Sequence, residues 1–250
     1  MLIAAMLALL VGVSLGLLGG GGSILTLPVL VYVVGLAPRD GVASSLLIVG
    51  VTSGTATLAH ARAGRVRWSI GVFFGAASML GAFAGGRLSH LVPSAVLLGG
   101  FTILMLVTAL AMMRSRPDHV EGAVVPVALR GGALARVLAV GVGIGLLTGV
   151  VGAGGGFVIV PALALLFTLP MRAAVGTSLL VITMNSFAGF AGAAAHATIP
   201  WAIVGVMTAS AVLGSFLGAA LTTRVSPALL RKGFAWFILA MTMFMVWKQV

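Results

Sequence analysis

From Val42 to Ala59, from Trp68 to Gly86 and from Ser94 to Met113 the chain carries no charged side chain. Each run approaches the roughly 20 residues that an α-helix needs to cross the hydrocarbon core of a bilayer. Only 7% of the 250 residues are charged and 61% are hydrophobic, whereas about a quarter of an ordinary soluble domain is charged. Such a chain cannot clothe itself in a hydrated surface, so its solvent is lipid. The fold class is all-α, a polytopic membrane protein.

The net charge of +11 does not point to nucleic acid. The basic residues lie in short loops between apolar spans, where positive charge orients membrane proteins. Zero cysteines remove disulfides, thiolate catalysis and Cys-based metal sites, and no cofactor is expected. The opening run MLIAAMLALLVGVSLG resembles the apolar part of a signal peptide. No basic residue precedes it and it runs straight into a glycine cluster, so it reads as a retained segment.

Adding 133 to a residue number in the first half finds its counterpart in the second. Residues 16–53 match 149–186 without gaps at 13 of 38 positions, among them Gly19, Gly21, Gly22, Pro28, Arg39, Ser45 and Ser53. The register continues through Trp68 with Trp201, Gly81 with Gly214 and Phe101 with Phe234. Shared apolar composition alone would not align glycine, proline, arginine and tryptophan together. The chain therefore divides into a first membrane repeat (1–113), a cytoplasmic linker (114–136) and a second membrane repeat (137–250). Asp118 and Glu121 in the linker are two of only three acidic residues.

Each unit reads as segment 1a (2–18), a glycine break, segment 1b (23–36), then spans near 41–60, 68–87 and 94–113. A continuous crossing through the glycines makes the repeats parallel and divides the 14 Lys and Arg residues 8 against 6. A reversal at the glycines inverts the repeats. Arg62, Arg65, Arg67, Arg114, Arg116, Arg130, Arg136, Arg172, Arg224, Arg231 and Lys232 then share one side, and Arg39, Arg87 and Lys248 the other. The second division obeys the positive-inside rule. It predicts inverted repeats in the cell (inner or plasma) membrane, with both termini outside and the linker cytoplasmic. Segment 1b, at about 21 Å as a helix, is too short for a core of about 30 Å. The glycines are therefore expected inside the membrane, where irregular backbone is tolerated if buried in protein or lining a wet cavity. Inverted repeats with broken helices usually place the substrate there.

The break G-x-G-G-G, the block PMRAAVGTSLL (Pro170 to Leu180) and HARAGRVRW (His60 to Trp68) resemble the sulfite exporter TauE/SafE family, also called the TSUP transporters. The resemblance covers nearly the whole chain. It implies a permease for small sulfur-containing or organic anions such as sulfite, sulfonates or sulfoacetate. The first half departs from the pattern, with GVASSLL for AVGTSLL and Ser23 where the second copy has Gly156.

Candidate binding residues come from two places. Backbone N–H groups at a helix start, with the helix dipole, favour an anion. This nominates Gly21, Gly22 and Ser23 in one break and Gly154, Gly155 and Gly156 in the other. Two such N-termini approaching from opposite sides would hold a small anion without a charged side chain. The second place is the span after each break. Ser45 and Thr52 are seven apart, as are Ser178 and Asn185, so each pair shares a helical face. With Ser53 and Ser186 they put polar groups near mid-span, to bind substrate or to bond across helices. Asn185 stands out because its amide can donate twice. Glycines at four-residue spacing, such as Gly12 and Gly16 or Gly141 and Gly145, fit close helix packing. Lying in continuous helix, Gly12 and Gly145 are expected to tolerate alanine and retain much of the transport. Gly22→Ala and Gly155→Ala are expected to abolish transport while leaving expression and detergent stability near wild type.

No Asp or Glu lies inside a span, and intramembrane carboxylates are the usual proton relays and cation ligands. This argues against cation transport and against proton coupling through a buried acid. His60 and His196 both end the second span and read as interfacial residues, with a pH-sensitive gate as the alternative. With no carboxylate partner in a span they make neither a catalytic base pair nor a metal site, so no enzyme is expected. The reading is a transporter for a small anion, with lipid as its other partner. An anion channel, or a non-transporting structural membrane protein, stands as the alternative.

Overall fold

The computed structural model describes residues 2–114, 132–151, 155–167, 169–222 and 224–249. Most of the linker and Gly154 lie outside them. The first half forms α1 (Leu2–Leu18), α2 (Gly21–Pro28), α3 (Pro38–Arg62), α4 (Trp68–Leu88) and α5 (Ser94–Arg114). The second half forms α6 (Gly132–Val151), α7 (Gly156–Leu166), α8 (Met171–Ala193), α9 (Trp201–Leu221) and α10 (Pro227–Gln249). Among the described residues there is no strand, and five helices are long and apolar enough to cross a bilayer. Apolar side chains of α1, α5 and α10, among them Ile3, Leu10, Ile103, Trp236 and Trp247, are exposed. Such an outer surface is stable in lipid and not in water.

Segment 1b departs from its expected bounds of 23–36. The helix starts at Gly21, and a π-helical turn over Val29–Val33 follows Pro28. Proline has no N–H for the ladder, and the chain recovers with the wider Val34 N–H to Val29 carbonyl bond at 3.0 Å. Gly35, at φ 82°, then turns the chain out of the helix. α7 carries Pro161 at the equivalent position.

Close glycine contacts give the helix directions. Gly21 lies against Leu18, and Gly22 against Leu15 and Val11, so α2 runs back along α1. The chain reverses at the glycines. Gly50 of α3 meets Ser186 of α8, Gly54 meets Thr183 and Gly189 meets Leu46, so these equivalent helices run antiparallel.

Two glycine seams lock the halves together. Gly12 and Gly16 of α1 press on the backbone of Ala211 and Ser215 in α9, while Gly214 and Gly218 press back on Leu9 and Val13. The same seam recurs where Gly145 and Gly149 of α6 meet Ser78 and Ala82 of α4, and Gly81 and Gly85 return the contact. Each half thus seats its first helix on the fourth helix of the other. Small residues at this spacing let backbones touch, which supplies dispersion contacts that lipid tails cannot supply.

The bundle has two chemically different ends. At one, Arg172 donates to the Val225 carbonyl at 3.2 Å and the Arg67 N–H to Thr177 Oγ1 at 2.9 Å. This gathers the turns that carry Arg62, Arg65, Arg67, Arg172 and Arg224. Arg65 is held below the usual arginine range, first by burial and then by the neighbouring Arg172 charge. At the other end the Thr198 N–H donates to Asp40 Oδ1 at 2.8 Å, and the His90 and His196 rings stack with centroids 4.1 Å apart. Arg39 and Arg87 belong to that end.

Candidate functional site

The two glycine breaks meet inside the bundle. A Cβ on Gly156, the first residue of α7, would stand 2.7 Å from Gly20 Cα, 2.9 Å from Ser23 Oγ and 2.8 Å from Ile182 Cδ1. Positions 23 and 156 are repeat equivalents, so the meeting point lies where the halves exchange. Both half-helices therefore begin beside one point, with their free N–H groups at the buried ends.

Each break is made by a residue in the left-handed region. Gly19 has φ 73° and Gly155, the cap of α7, has φ 79°, which only glycine adopts without strain. A Cβ at Gly19 would also meet Ser178 Oγ and Val175 Cα at 2.9 Å. α8 packs directly against the turn. Polar side chains from three directions surround the end of α1. Ser178 Oγ, which donates to Val175 O at 2.8 Å, lies 3.4 Å from Gly19 O. Thr222 Oγ1, which donates to Gly218 O at 3.1 Å, lies 3.3 Å from Gly16 O. His60 Nε2 reaches Gly16 O at 2.9 Å.

The face of α8 that carries Ser178 and Ile182 continues to Asn185 and Ser186 by helical spacing. Asn185 Nδ2 donates to Ser78 Oγ of α4 at 2.6 Å. Asn185 Oδ1 and Ser186 Oγ are buried and have no hydrogen-bond partner. Such orphans are rare and costly in a folded protein, about 1–3 kcal/mol each. On α3, Ser45 Oγ bonds back to Val42 O at 2.9 Å, Thr52 Oγ1 to Ile48 O at 2.7 Å, and Ser53 Oγ to Val49 O. Ser23 Oγ returns to Gly20 O at 2.7 Å. These hydroxyls, like Ser178 on α8, which returns to Val175 O at 2.8 Å, are satisfied within their own helices. Ser44 Oγ on α3 is buried without a partner, as Asn185 Oδ1 and Ser186 Oγ are on α8.

Gly20, Ser23, Gly156, Ile182 and, one turn away, Ser178 are thus brought together. Gly21 and Gly22 are turned elsewhere. Gly21 faces Leu18 and Phe237, and a Cβ on Gly22 would overlap the Val11 carbonyl. The expectation that Gly22→Ala spares folding is corrected, because that glycine lets α2 lie on α1. The expected tolerance of Gly12 and Gly145 to alanine is overturned for the same reason: both press on a neighbouring backbone. Gly154 is outside the described residues. His196 is exposed, as an interfacial residue should be. His60, in the last turn of α3, is fully buried in protein. Ser78 and Thr222 were not anticipated; Ser78 is a single hydroxyl in a run of small and apolar residues and Thr222 opens the Thr-Thr-Arg end of α9, so neither carries a marker in the sequence.

A family model described as sulfite exporter TauE/SafE matches residues 4–245. The chain belongs to the TauE/SafE family. A probable membrane transporter protein of Xylella fastidiosa is 35% identical, covering 96% of this chain and 92% of that protein. One from Bacillus subtilis is 28% identical over 89% of each chain. One from Methanocaldococcus jannaschii is 28% identical over 90% of this chain and 89% of its own. No solved structure matches. This TauE/SafE protein is therefore a multi-pass membrane protein of a transporter family.

Proposed function

We propose that this TauE/SafE protein carries a small anion, such as sulfite, a sulfonate or a related organosulfur anion, by alternating access around the point where α2 and α7 begin. The observation that carries the reading is a buried meeting of two helix N-termini against Ile182, with Asn185 and Ser186, whose Oδ1 and Oγ have no partner, one helical turn further along α8. Partial positive charge at both helix starts favours an anion there. A half-turn of the Asn185 amide lets the Ser78 hydroxyl donate to Oδ1 and frees both Nδ2 hydrogens for the anion. Ser186 Oγ–H adds a third donor. The uncharged interior suits a substrate that must also leave.

A carrier is favoured over an open channel because Ser23, Ser45, Thr52, Ser53, Ser178 and Ser186 are fully buried and Asn185 is 1% exposed. Access then requires one group of helices to move against the other, as in inverted-repeat transporters. The antiparallel pairing of α3 with α8 and the exchange of first helices support the inverted-repeat reading. The arginine-rich end is taken as cytoplasmic.

The purified protein is expected to exchange sulfite against trapped sulfite in liposomes, saturably and with trans-stimulation. Sulfite at 100 times its Kd adds about 2.7 kcal/mol to detergent stability. Flux that never saturates supports a channel, and neither flux nor stabilisation with any of sulfite, thiosulfate, sulfonates or carboxylates removes the reading.

Orientation has its own test, clean because the chain has no cysteine. Gly64→Cys and Thr198→Cys lie in turns at opposite ends. An impermeant maleimide on intact cells is expected to label Thr198→Cys and spare Gly64→Cys. Equal labelling would end the proposed topology.

A further inference from the structure

His60 is the only fully buried ionisable side chain among the described residues. A carbonyl oxygen can only accept, so the 2.9 Å contact with Gly16 O places the ring hydrogen on Nε2. The neutral ring then presents a lone pair at Nδ1, which is buried and has no partner. Gly16 is two residues from the C-terminal end of α1, where the helix dipole favours a cation. The break begins three residues later, at Gly19.

We propose that His60 binds the coupling proton, so that one proton and one anion cross together. This rests on the reading of the mid-span site as an anion site. In the step, Nδ1 takes a proton from water on one side and becomes imidazolium, retaining the Nε2–H bond to Gly16. It returns the proton to water on the other side as the anion leaves. An imidazolium buried alone is costly, and so is an anion buried alone; together they offset each other. Either partner is thus discouraged from crossing by itself.

The surroundings leave this role to His60. α1, α2 and α9 hold no ionisable side chain. On the other helices packed against α3, Arg172 starts α8 and Arg114 ends α5. Arg65, just beyond α3, is the charged group whose field reaches the ring. The equivalent of His60 in the second half is Ala193, so the device is present once.

The test compares the wild type with His60→Gln, which keeps an amide N–H for Gly16 O but cannot titrate. The probe is radiolabelled methanesulfonate, which stays ionised across the neutral range, in liposomes that trap a pH dye. In the wild type, uptake should acidify the lumen and accelerate under an inward proton gradient. Apparent affinity should improve about tenfold from mildly alkaline to mildly acidic pH, within the usual range of site coupling. His60→Gln should keep measurable counterflow and lose all three responses. Net methanesulfonate uptake without acidification of the lumen in the wild type, or an unaltered pH response in His60→Gln, overturns the coupling and leaves the anion site standing. Absence of any anion counterflow in the wild type removes the site reading and the coupling with it. If His60→Gln does not fold, nitrogen NMR decides on a protein carrying His90→Gln, His119→Gln and His196→Gln. Saturating methanesulfonate at mildly acidic pH should protonate Nδ1, and a ring that stays neutral overturns the proposal.

Discussion

Gly145→Ala is expected to destabilise the detergent-purified protein by about 1–3 kcal/mol, and Gly12→Ala by a similar amount. In an isolated helix the same change would stabilise, by about 0.5–1 kcal/mol. The sign reverses because a Cβ at Gly145 would overlap the Ser78 carbonyl, and one at Gly12 the Ala211 carbonyl. Neither obstacle is a side chain that could swing away. The whole of α6 would have to lift from α4, or α1 from α9, loosening contacts along each seam. Gly143→Ala is the matched control. It lies in α6 two residues from Gly145, and a Cβ there meets nothing within 4 Å. Thermal unfolding of the three variants should place Gly143→Ala at or above the wild type and the other two well below. Equal melting of Gly143→Ala and Gly145→Ala would refute the α4–α6 seam.

Asn185→Leu is expected to weaken sulfite binding about tenfold to a hundredfold. That corresponds to the roughly 1.5–3 kcal/mol of a hydrogen bond to a charged group. The same change leaves the buried Ser78 hydroxyl without the amide that donates to it at 2.6 Å, so about 1–3 kcal/mol of stability goes as well. A second substitution separates the effects. Asn185→Leu with Ser78→Ala removes both polar groups, which restores stability because nothing is left unsatisfied. Affinity should stay low in the double variant. Sulfite titrations with thermal melts on the set decide this. Affinity that recovers with stability would make Asn185 a packing residue.

The helices were legible because lipid demands long apolar runs, and expected spans at 68–87 and 94–113 became Trp68–Leu88 and Ser94–Arg114. The match between the halves was legible because Gly, Pro and Arg each answer to a backbone or interface requirement that apolar residues do not share. The role of each glycine was not. Gly12 reads as continuous helix and Gly22 as part of a break, and only the arrival of α9 or of α1 shows why a Cβ is excluded at each. Spacing showed that Ser178 and Asn185 share a face, but it could not show that Ile182, between them, touches Gly156. Nor could it separate His60 from His196. Both close a helix in sequence, yet His60 is folded under α1 and His196 stacks at the rim.

The central claim is that an anion binds where α2 and α7 begin. Selenite, the heavier analogue of sulfite, reports this most directly through anomalous diffraction from crystals of the wild-type protein. The account predicts a selenium peak among the Gly156 backbone, Asn185 and Ser186, lost in crystals of Asn185→Leu with Ser78→Ala. A peak confined to the arginines at either end, Arg65 and Arg172 or Arg39 and Arg87, would contradict it.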